Sequence, residues 1–376
     1  MRADIVVIGG GVTGLAAARE LRTRELDVIV LDQAGVGHLG GGSHGSCRIF
    51  RLGYDDPLYV TAARQARQLW TEIEAVAGER LLHPVPQLTV GPDMPRVREA
   101  MRQAGAPSEL LPAVEAAARF PGVTPVPGPG RDDVVLLEPD SAVIAADRAL
   151  AVLADQTDPG VRTGVRVTAL ADDGRRVTVS TGVGDIDAGR VIVCAGPWSA
   201  GLLATARIWL PGQASLEQVA YLAPAGPTPA MPIFVHYGGE FAYGLPVPGS
   251  DRYKFGLHQA GPAVDPDHQD QADDPELSRR TERAARTFLP GFDPRPVATE
   301  RCIYDNSPDT DFIIDRIGNV VVGCGTSGHG FKFGPLLGLW LASLAIGQAT
   351  SPGRIGAEAP QAPPTRFGLG RFGRVG

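Results

Sequence analysis

Residues 5–14 read Ile5-Val6-Val7-Ile8-Gly9-Gly10-Gly11-Val12-Thr13-Gly14. Four consecutive apolar, β-branched residues suit a strand buried on both faces, and the alanine-rich stretch Leu15 to Leu21 suits a helix. A second apolar run, Val28-Ile29-Val30-Leu31, ends at Asp32. The whole predicts a βαβ unit over residues 4–32. Gly9, Gly11 and Gly14 fit G-x-G-x-x-G at the strand-to-helix turn. Gly9 permits the tight turn, Gly11 lets the backbone approach a pyrophosphate, and Gly14 lets helix and strand pack closely. Val12 and Thr13 open the helix, where unpaired N–H groups and the helix dipole favour an anion. Asp32, at about the expected 20-residue separation, would accept hydrogen bonds from a ribose diol and disfavour a 2′-phosphate. The pattern predicts a dinucleotide site. By itself it leaves FAD and NAD open. Its place at the N-terminus, with a different sheet far downstream, leans towards FAD.

A second glycine-rich turn lies near the other end: Gly323-Cys324-Gly325-Thr326-Ser327-Gly328-His329-Gly330-Phe331-Lys332-Phe333. It separates the strand Val320 to Val322 from an apolar helix, Leu336 to Ile346. A helix starting in such a loop is again a place for an anion, so two helix starts suggest one long dinucleotide held at two points.

Composition narrows the class. The chain has 376 residues, 43% hydrophobic and 20% charged, enough for two domains. A net charge of −7 argues against a nucleic-acid partner. The longest apolar run, Pro335 to Gly347, is too short to span a bilayer, and the N-terminus does not read as a signal peptide. The four cysteines, Cys47, Cys194, Cys302 and Cys324, show no metal-binding spacing. They are expected to be reduced thiols in a cytoplasmic protein.

Between the two glycine turns, Tyr59 to Val76 reads as a helix. Residues 120–130, rich in proline and glycine, read as a loop. Val161 to Leu170 and Val177 to Thr181 read as a hairpin, followed by the strand Val191 to Val193 and the turn Cys194-Ala195-Gly196-Pro197. Residues 213–258 alternate as antiparallel strands do, residues 262–275 suit a surface loop, and the segment after Ser351 is expected to be extended.

Several segments, in order along residues 4–333, resemble the monomeric sarcosine oxidase family of FAD-dependent amine oxidases, which includes N-methyltryptophan and pipecolate oxidases. They are Gly9 to Gly14, Ser43-His44-Gly45-Ser46-Cys47-Arg48-Ile49-Phe50-Arg51, Leu137-Glu138-Pro139 and Ala195-Gly196-Pro197-Trp198. They continue with Tyr243-Gly244-Leu245-Pro246, Lys254-Phe255-Gly256-Leu257-His258, Cys302-Ile303-Tyr304, Phe312-Ile313-Ile314-Asp315 and Ser327-Gly328-His329-Gly330-Phe331-Lys332-Phe333. The block from Cys302 to Lys332 is the most specific of these.

The resemblance implies FAD joined through its 8α-methyl group to the sulfur of Cys302, with His44 and Arg48 lying against the flavin. Taken alone, a lone cysteine is more often a small buried core residue. FAD contacts are further implied for Ser43, Val167, Ala195, Gly196, Trp198, Gly325, Gly328, His329, Gly330, Phe331 and Lys332. Arg51 and Lys332 match a pair that holds the substrate carboxylate, a kind of charge-assisted bond worth about 1.5–3 kcal/mol each. Lys254 matches the lysine that activates oxygen. Tyr304 and His258 match pocket groups, and Tyr54 and Tyr243 are further pocket candidates. His258 could tune the protonation balance of the amine. The family often has Asp-Thr before its first arginine, where this chain has Ser46-Cys47. The match fades between Leu203 and Val235, a stretch expected to shape the pocket for the substrate's side chain.

The expectation is an α/β chain: a discontinuous Rossmann-like FAD-binding domain (1–84, 138–212, 302–360), plus a mixed, largely antiparallel β-sheet substrate domain (85–137, 213–301) and an extended tail (361–376). The implied reaction is oxidation of a secondary or cyclic α-amino acid by a monomer, with hydride passing to flavin N5, an imine product, and O2 reduced to hydrogen peroxide. Two alternatives stay open: a biosynthetic oxidase that desaturates or aromatises a cyclic imino acid, and a flavin dehydrogenase that does not use O2.

Overall fold

The computed structural model describes residues 1–125, 133–227, 230–347 and 362–373. The expected loop at 120–130 lies partly outside them, as does most of the segment after Ser351.

The strand Arg2–Ile8 sits at the centre of the first sheet. It pairs in parallel with Val28–Leu31 on one side and Ile186–Val193 on the other. Val320–Cys324 continues the parallel set beyond Ile186–Val193, and Val161–Arg162 extends it beyond Val28–Leu31. The central strand's stretch Ile5 to Ile8, apolar at every position and buried, needs cover on both faces, and has it. The helix Val12–Arg22 and the helix Gly334–Ile346 lie together on one face, so closely that a Cβ on Gly338 would stand 2.6 Å from the backbone of Ala16 and Ala17. The antiparallel strands Val167–Asp172 and Val177–Thr181, with the helix Ser199–Thr205, pack with the other face. The expected hairpin from Val161 therefore begins only at Val167. Val161–Arg162 instead runs parallel to Val28–Leu31 as a short edge strand.

The second sheet runs in the order Ala298–Asn306, Gln213–Leu222, Tyr253–Leu257, Ala242–Pro246, Ile233–His236, Gln87–Val90, Val134–Glu138, Glu109–Pro112. Its pairings are antiparallel except Ile233–His236 with Gln87–Val90. A small third sheet joins Cys47–Phe50, Ala142–Ala145 and Leu82–Pro84. The strand Ala298–Asn306 crosses the boundary expected at residue 302, and Val134–Glu138 crosses the one at 138. Domain edges read from sequence fell inside strands because sheet membership is set by pairing, which sequence alone does not display.

The tail is not extended where it is described. Thr365–Phe367 and Leu369–Phe372 form two 3-10 turns, and Phe367 is fully buried. Its ring meets Tyr59, Phe312 and Trp340 at centroid distances of 5.8, 5.4 and 6.1 Å. Proline and glycine content concealed one aromatic anchor. Phe367→Ala is expected to cost about 3 kcal/mol of stability, read as a lower midpoint in urea at unchanged slope. Among the described residues no helix is long and apolar enough to cross a membrane.

Candidate active site

A cavity of about 850 Å3 runs between the two large sheets, from the first glycine turn to the face of the second sheet. At its first end, Gly9 adopts φ +107°, and a Cβ there would stand 2.3 Å from Cys194 O. A Cβ on Gly14 would stand 2.0 Å from Gly9 O, so only glycine lets the helix sit this close to the strand. Asp32 is buried and accepts from Gly10 N–H at 2.8 Å and Ala34 N–H at 2.9 Å. Ser43 Oγ accepts from Val12 N–H at 3.2 Å, which brings the 40–47 segment over the helix start. Val167, Ala195, Gly196 and Trp198 line the same end with Gly11, Val12 and Thr13.

The opposite wall is a pleated face. On Ala298–Asn306, alternation puts Glu300, Cys302 and Tyr304 on one side. The register pairs Tyr221 with Lys254, Val219 with both Gly256 and Glu300, and Tyr243 with Gly256. Lys254, Tyr243, His258, Cys302 and Tyr304 therefore all line the cavity. Gly256 makes room among them, since a Cβ there would lie 3.3 Å from the Tyr243 ring. Cys302 is partly exposed, with Arg48 Nη2 3.9 Å from its sulfur. Arg48 is fixed by Cys47 O at 3.0 Å and Gly42 O at 3.3 Å, by His44 O, and by the Phe331 ring 5.6 Å away.

Arg51 and Lys332 meet at the far end of this wall, both buried. Their partners are neutral. Arg51 donates to Gly53 O and covers the Tyr54 ring at 4.1 Å. Lys332 donates to Tyr54 Oη at 2.9 Å and His329 O at 2.8 Å. Burial, and then the Arg51 charge, push Lys332 well below the usual lysine range, while Glu138 opposes them. A cation pair so placed is stabilised by an incoming anion.

The imidazoles here are neutral. Burial and then Arg48 push His44 down to about 4, and its two ring nitrogens are buried without hydrogen-bond partners among the described residues. Burial, then Arg51 and Lys332, push His258 down to about 3, and its Nδ1 lies 3.3 Å from Tyr304 Oη. His329 is likewise lowered, chiefly by burial. His258 thus stands as a hydrogen-bonding imidazole rather than a charge.

Two expected contact residues stand behind the wall. Tyr54 does not line the cavity but braces Arg51 and Lys332 from beneath. Gly325 is also set back: its N–H donates to Asp305 at 2.6 Å, and a Cβ would meet Ile313. Burial raises that Asp305 carboxyl to about 6. The second glycine loop itself lines the cavity through Gly328, His329, Gly330, Phe331 and Lys332. Gly328, at φ +76°, leaves the space in which the Tyr304 ring sits. The loop does not enter its helix directly. The 3-10 turn Phe331–Phe333 intervenes and places Lys332, whose carbonyl accepts from Trp70 Nε1 at 2.8 Å.

Other residues here carry weight that the sequence had not assigned them. Glu138, fully buried, accepts from Leu52 N–H at 3.1 Å, Gly53 N–H at 2.8 Å and Gln87 Nε2 at 2.7 Å, and so anchors the Arg51 loop. A carboxylate ending the apolar run Val134 to Leu137 was the available signal. Tyr237 lies under Arg51 at 5.8 Å, and Phe241 packs on both Tyr237 and His258 at 4.5 and 4.6 Å. The side-chain end of the pocket thus draws on the 235–243 hairpin, rather than on residues 203–235 alone.

A glycine cradle at one end of a long cavity, with a cysteine and buried cations at the other, defines a dinucleotide-dependent redox protein. The partnerless His44 nitrogens, and the tight turn and close helix start that Gly9 and Gly14 permit at the end of the cavity, fit an FAD lying along it. The chain belongs to the FAD dependent oxidoreductase family, whose model matches residues 4–344. It is 31% identical to the peroxisomal sarcosine oxidase of Mus musculus, over 91% of this chain and 92% of that one. It is also 31% identical to the N-methyl-L-tryptophan oxidase of Yersinia pestis (strain Pestoides F), over 98% and 99%. Among solved structures, NikD, described as an unusual amino acid oxidase essential for nikkomycin biosynthesis, matches with a TM-score of 0.83. That match has 27% identity and covers 94% of this chain and 96% of that one.

Proposed function

We propose that this protein oxidises the CH–NH bond of a secondary or cyclic α-amino acid to an imine, with O2 as the final acceptor and hydrogen peroxide as the reduced product. The observation that carries the reading is the buried pair Arg51 and Lys332, sharing one cavity with Cys302 and Lys254. The sarcosine, N-methyl-tryptophan and amino acid oxidases among its relatives support the same chemistry.

FAD, when bound, supplies the two-electron acceptor. Gly9, Gly11, Gly14 and Asp32 would hold its nucleotide end, and His44, Arg48 and the 328–332 loop its ring end. Cys302 is proposed as the covalent attachment point, supported by its free, partly exposed sulfur on the cavity wall with the Arg48 guanidinium 3.9 Å away. Arg51 and Lys332 receive the substrate carboxylate and fix the amine end towards Cys302, Tyr304 and His258. Two fixed cations disfavour a third positive charge beside them, so the bound amine is biased to its neutral, reactive form. His258, neutral itself, adds no opposing charge and can accept the amine's hydrogen bond. Lys254 is proposed as the fixed cation on the oxygen side, which favours acceptance of electrons by O2 over a dehydrogenase reading. A monomer is proposed, with its four cysteines, all unpaired, suiting the cytoplasm.

A second reading draws support from Phe241 and His258, which line the cavity with ring centroids 4.6 Å apart, Tyr237 backing Phe241 at 4.5 Å. Such a wall suits a flat ring, and so desaturation of a cyclic imino acid. Anaerobic mixing with a panel of N-methyl and cyclic amino acids tests both. Flavin bleaching with carboxylated amines, and not with the matching amines lacking the carboxylate, supports the proposal. Bleaching with both alike sinks it. Product mass lower by two or four units without formaldehyde selects the second reading. For the linkage, acid precipitation is expected to give a yellow pellet, and Cys302→Ser a colourless one with flavin in the supernatant.

A further inference from the structure

Two residues before Cys302, Glu300 occupies the same face of its strand, and Lys254 reaches it across the strand Gln213–Leu222. The register explains the meeting. Val219 pairs with Glu300 and Tyr221 with Lys254, so Tyr221 stands beside both. Lys254 Nζ lies 3.6 Å from Glu300 Oε2, and Tyr221 donates its hydroxyl to the same oxygen at 2.8 Å. Ser46 Oγ, from the opposing segment, lies 3.3 Å from the Tyr221 hydroxyl. Gly45 covers the junction: at φ +101°, a Cβ there would stand 3.2 Å from Glu300 Oε2 and 3.6 Å from Lys254 Nζ. The two ends differ in exposure. The Lys254 side chain is 5% exposed and that of Glu300 33%.

We infer that Glu300 is the positioning residue of Lys254: its carboxylate, hinged on Tyr221 and Ser46, holds the ammonium in the cavity and links it to solvent. The inference rests on the reading of Lys254 as the oxygen-side cation. A lysine buried beside an arginine holds its proton poorly. Lys254 faces Arg48 and Cys47 from Cys47–Phe50, His44 from the preceding loop, Glu300 and Cys302 from Ala298–Asn306, and Tyr221 from the strand between. Burial and then Arg48 lower Lys254, while Cys47, Glu300 and Cys302 oppose them. Neutral His44 contributes no cation. Of the groups that oppose the lowering, Glu300 is the carboxylate, and its side chain reaches water. Ser46, where the resembled family often has an acid, is what ties this hinge to the opposite wall.

The test uses the holoenzyme with Glu300→Gln and Glu300→Asp. Oxygen and amine are varied separately, and the pH dependence of Lys254 acetylation by acetic anhydride is read by peptide mass spectrometry. For Glu300→Gln, kcat/KM for O2 is expected to fall about tenfold and the acetylation midpoint to move down by about one pH unit, the scale of losing one opposite charge at this range. kcat/KM for the amine should stay within about twofold, and Glu300→Asp should restore most of both losses. An unmoved acetylation midpoint, or equal losses in both kcat/KM values, overturns the inference. Lys254→Met separates the two layers. Unchanged oxygen kinetics in that variant removes the reading of Lys254 itself. Impaired kinetics there, with Glu300→Gln normal, removes only the role of Glu300.

Discussion

Lys332→Met is expected to lower kcat/KM for a carboxylated amine about a hundredfold, close to 3 kcal/mol of lost binding in the transition state. The substitution keeps the length of the side chain and removes its charge, leaving Arg51 to hold the carboxylate alone. The same change should leave a carboxylate-free amine about as poor a substrate as before, so the preference between the two collapses. Folding should not suffer. Lys332 is buried with neutral partners, and burial already works against its charge, so the thermal midpoint should hold or rise. Steady-state kinetics on paired substrates, with a melting curve, checks all three. An unchanged preference for the carboxylated amine would remove Lys332 from the clamp.

Gly14→Ala is expected to yield protein that binds FAD about a hundredfold more weakly, if it retains any. The new methyl would stand 2.0 Å from Gly9 O and 3.3 Å from Val7 Cγ1. The helix Val12–Arg22 would have to lift off the central strand, at a cost of about 1–3 kcal/mol for overpacking alone. That movement also displaces Val12 and Thr13, which line the cavity, so the loss falls on the cofactor as well as on stability. Each factor of ten in affinity is about 1.4 kcal/mol. Gly182→Ala is the control, since nothing lies within 4 Å of a Cβ there. Flavin content on purification, measured in a Cys302→Ser background so that attachment cannot mask weak binding, reports the result. Full occupancy with Gly14→Ala would contradict the cradle.

How far the sequence could be read depended on the range of the interactions. The cradle was legible because Gly9, Gly11, Gly14 and Asp32 act through local backbone geometry, at spacings fixed by one turn and one helix. Arg51 and Lys332 were legible only through resemblance. Their meeting needs a loop anchored by Glu138 and a 3-10 turn anchored by Trp70, at contacts 86 and 262 residues apart. Glu300 and Tyr221 could not be found, because their partnership with Lys254 depends on the register of three strands, and periodicity gives faces but not partners. The same limit explains Val161–Arg162, which read as part of a hairpin and pairs elsewhere, and the domain edges that fell within strands. Phe367 was hidden for a different reason: a single buried ring docks a segment whose composition otherwise favours solvent.

The strand that carries Cys302 belongs to the second sheet, while the cradle at Gly9 to Gly14 belongs to the first. A flavin anchored at Cys302 and gripped by the cradle would therefore act as a rivet through both layers, closing chain and cofactor into a ring. Prying the sheets apart would then require pulling the nucleotide end out of its seat. Loss of the linkage should show first as faster unfolding under load, before it shows in turnover.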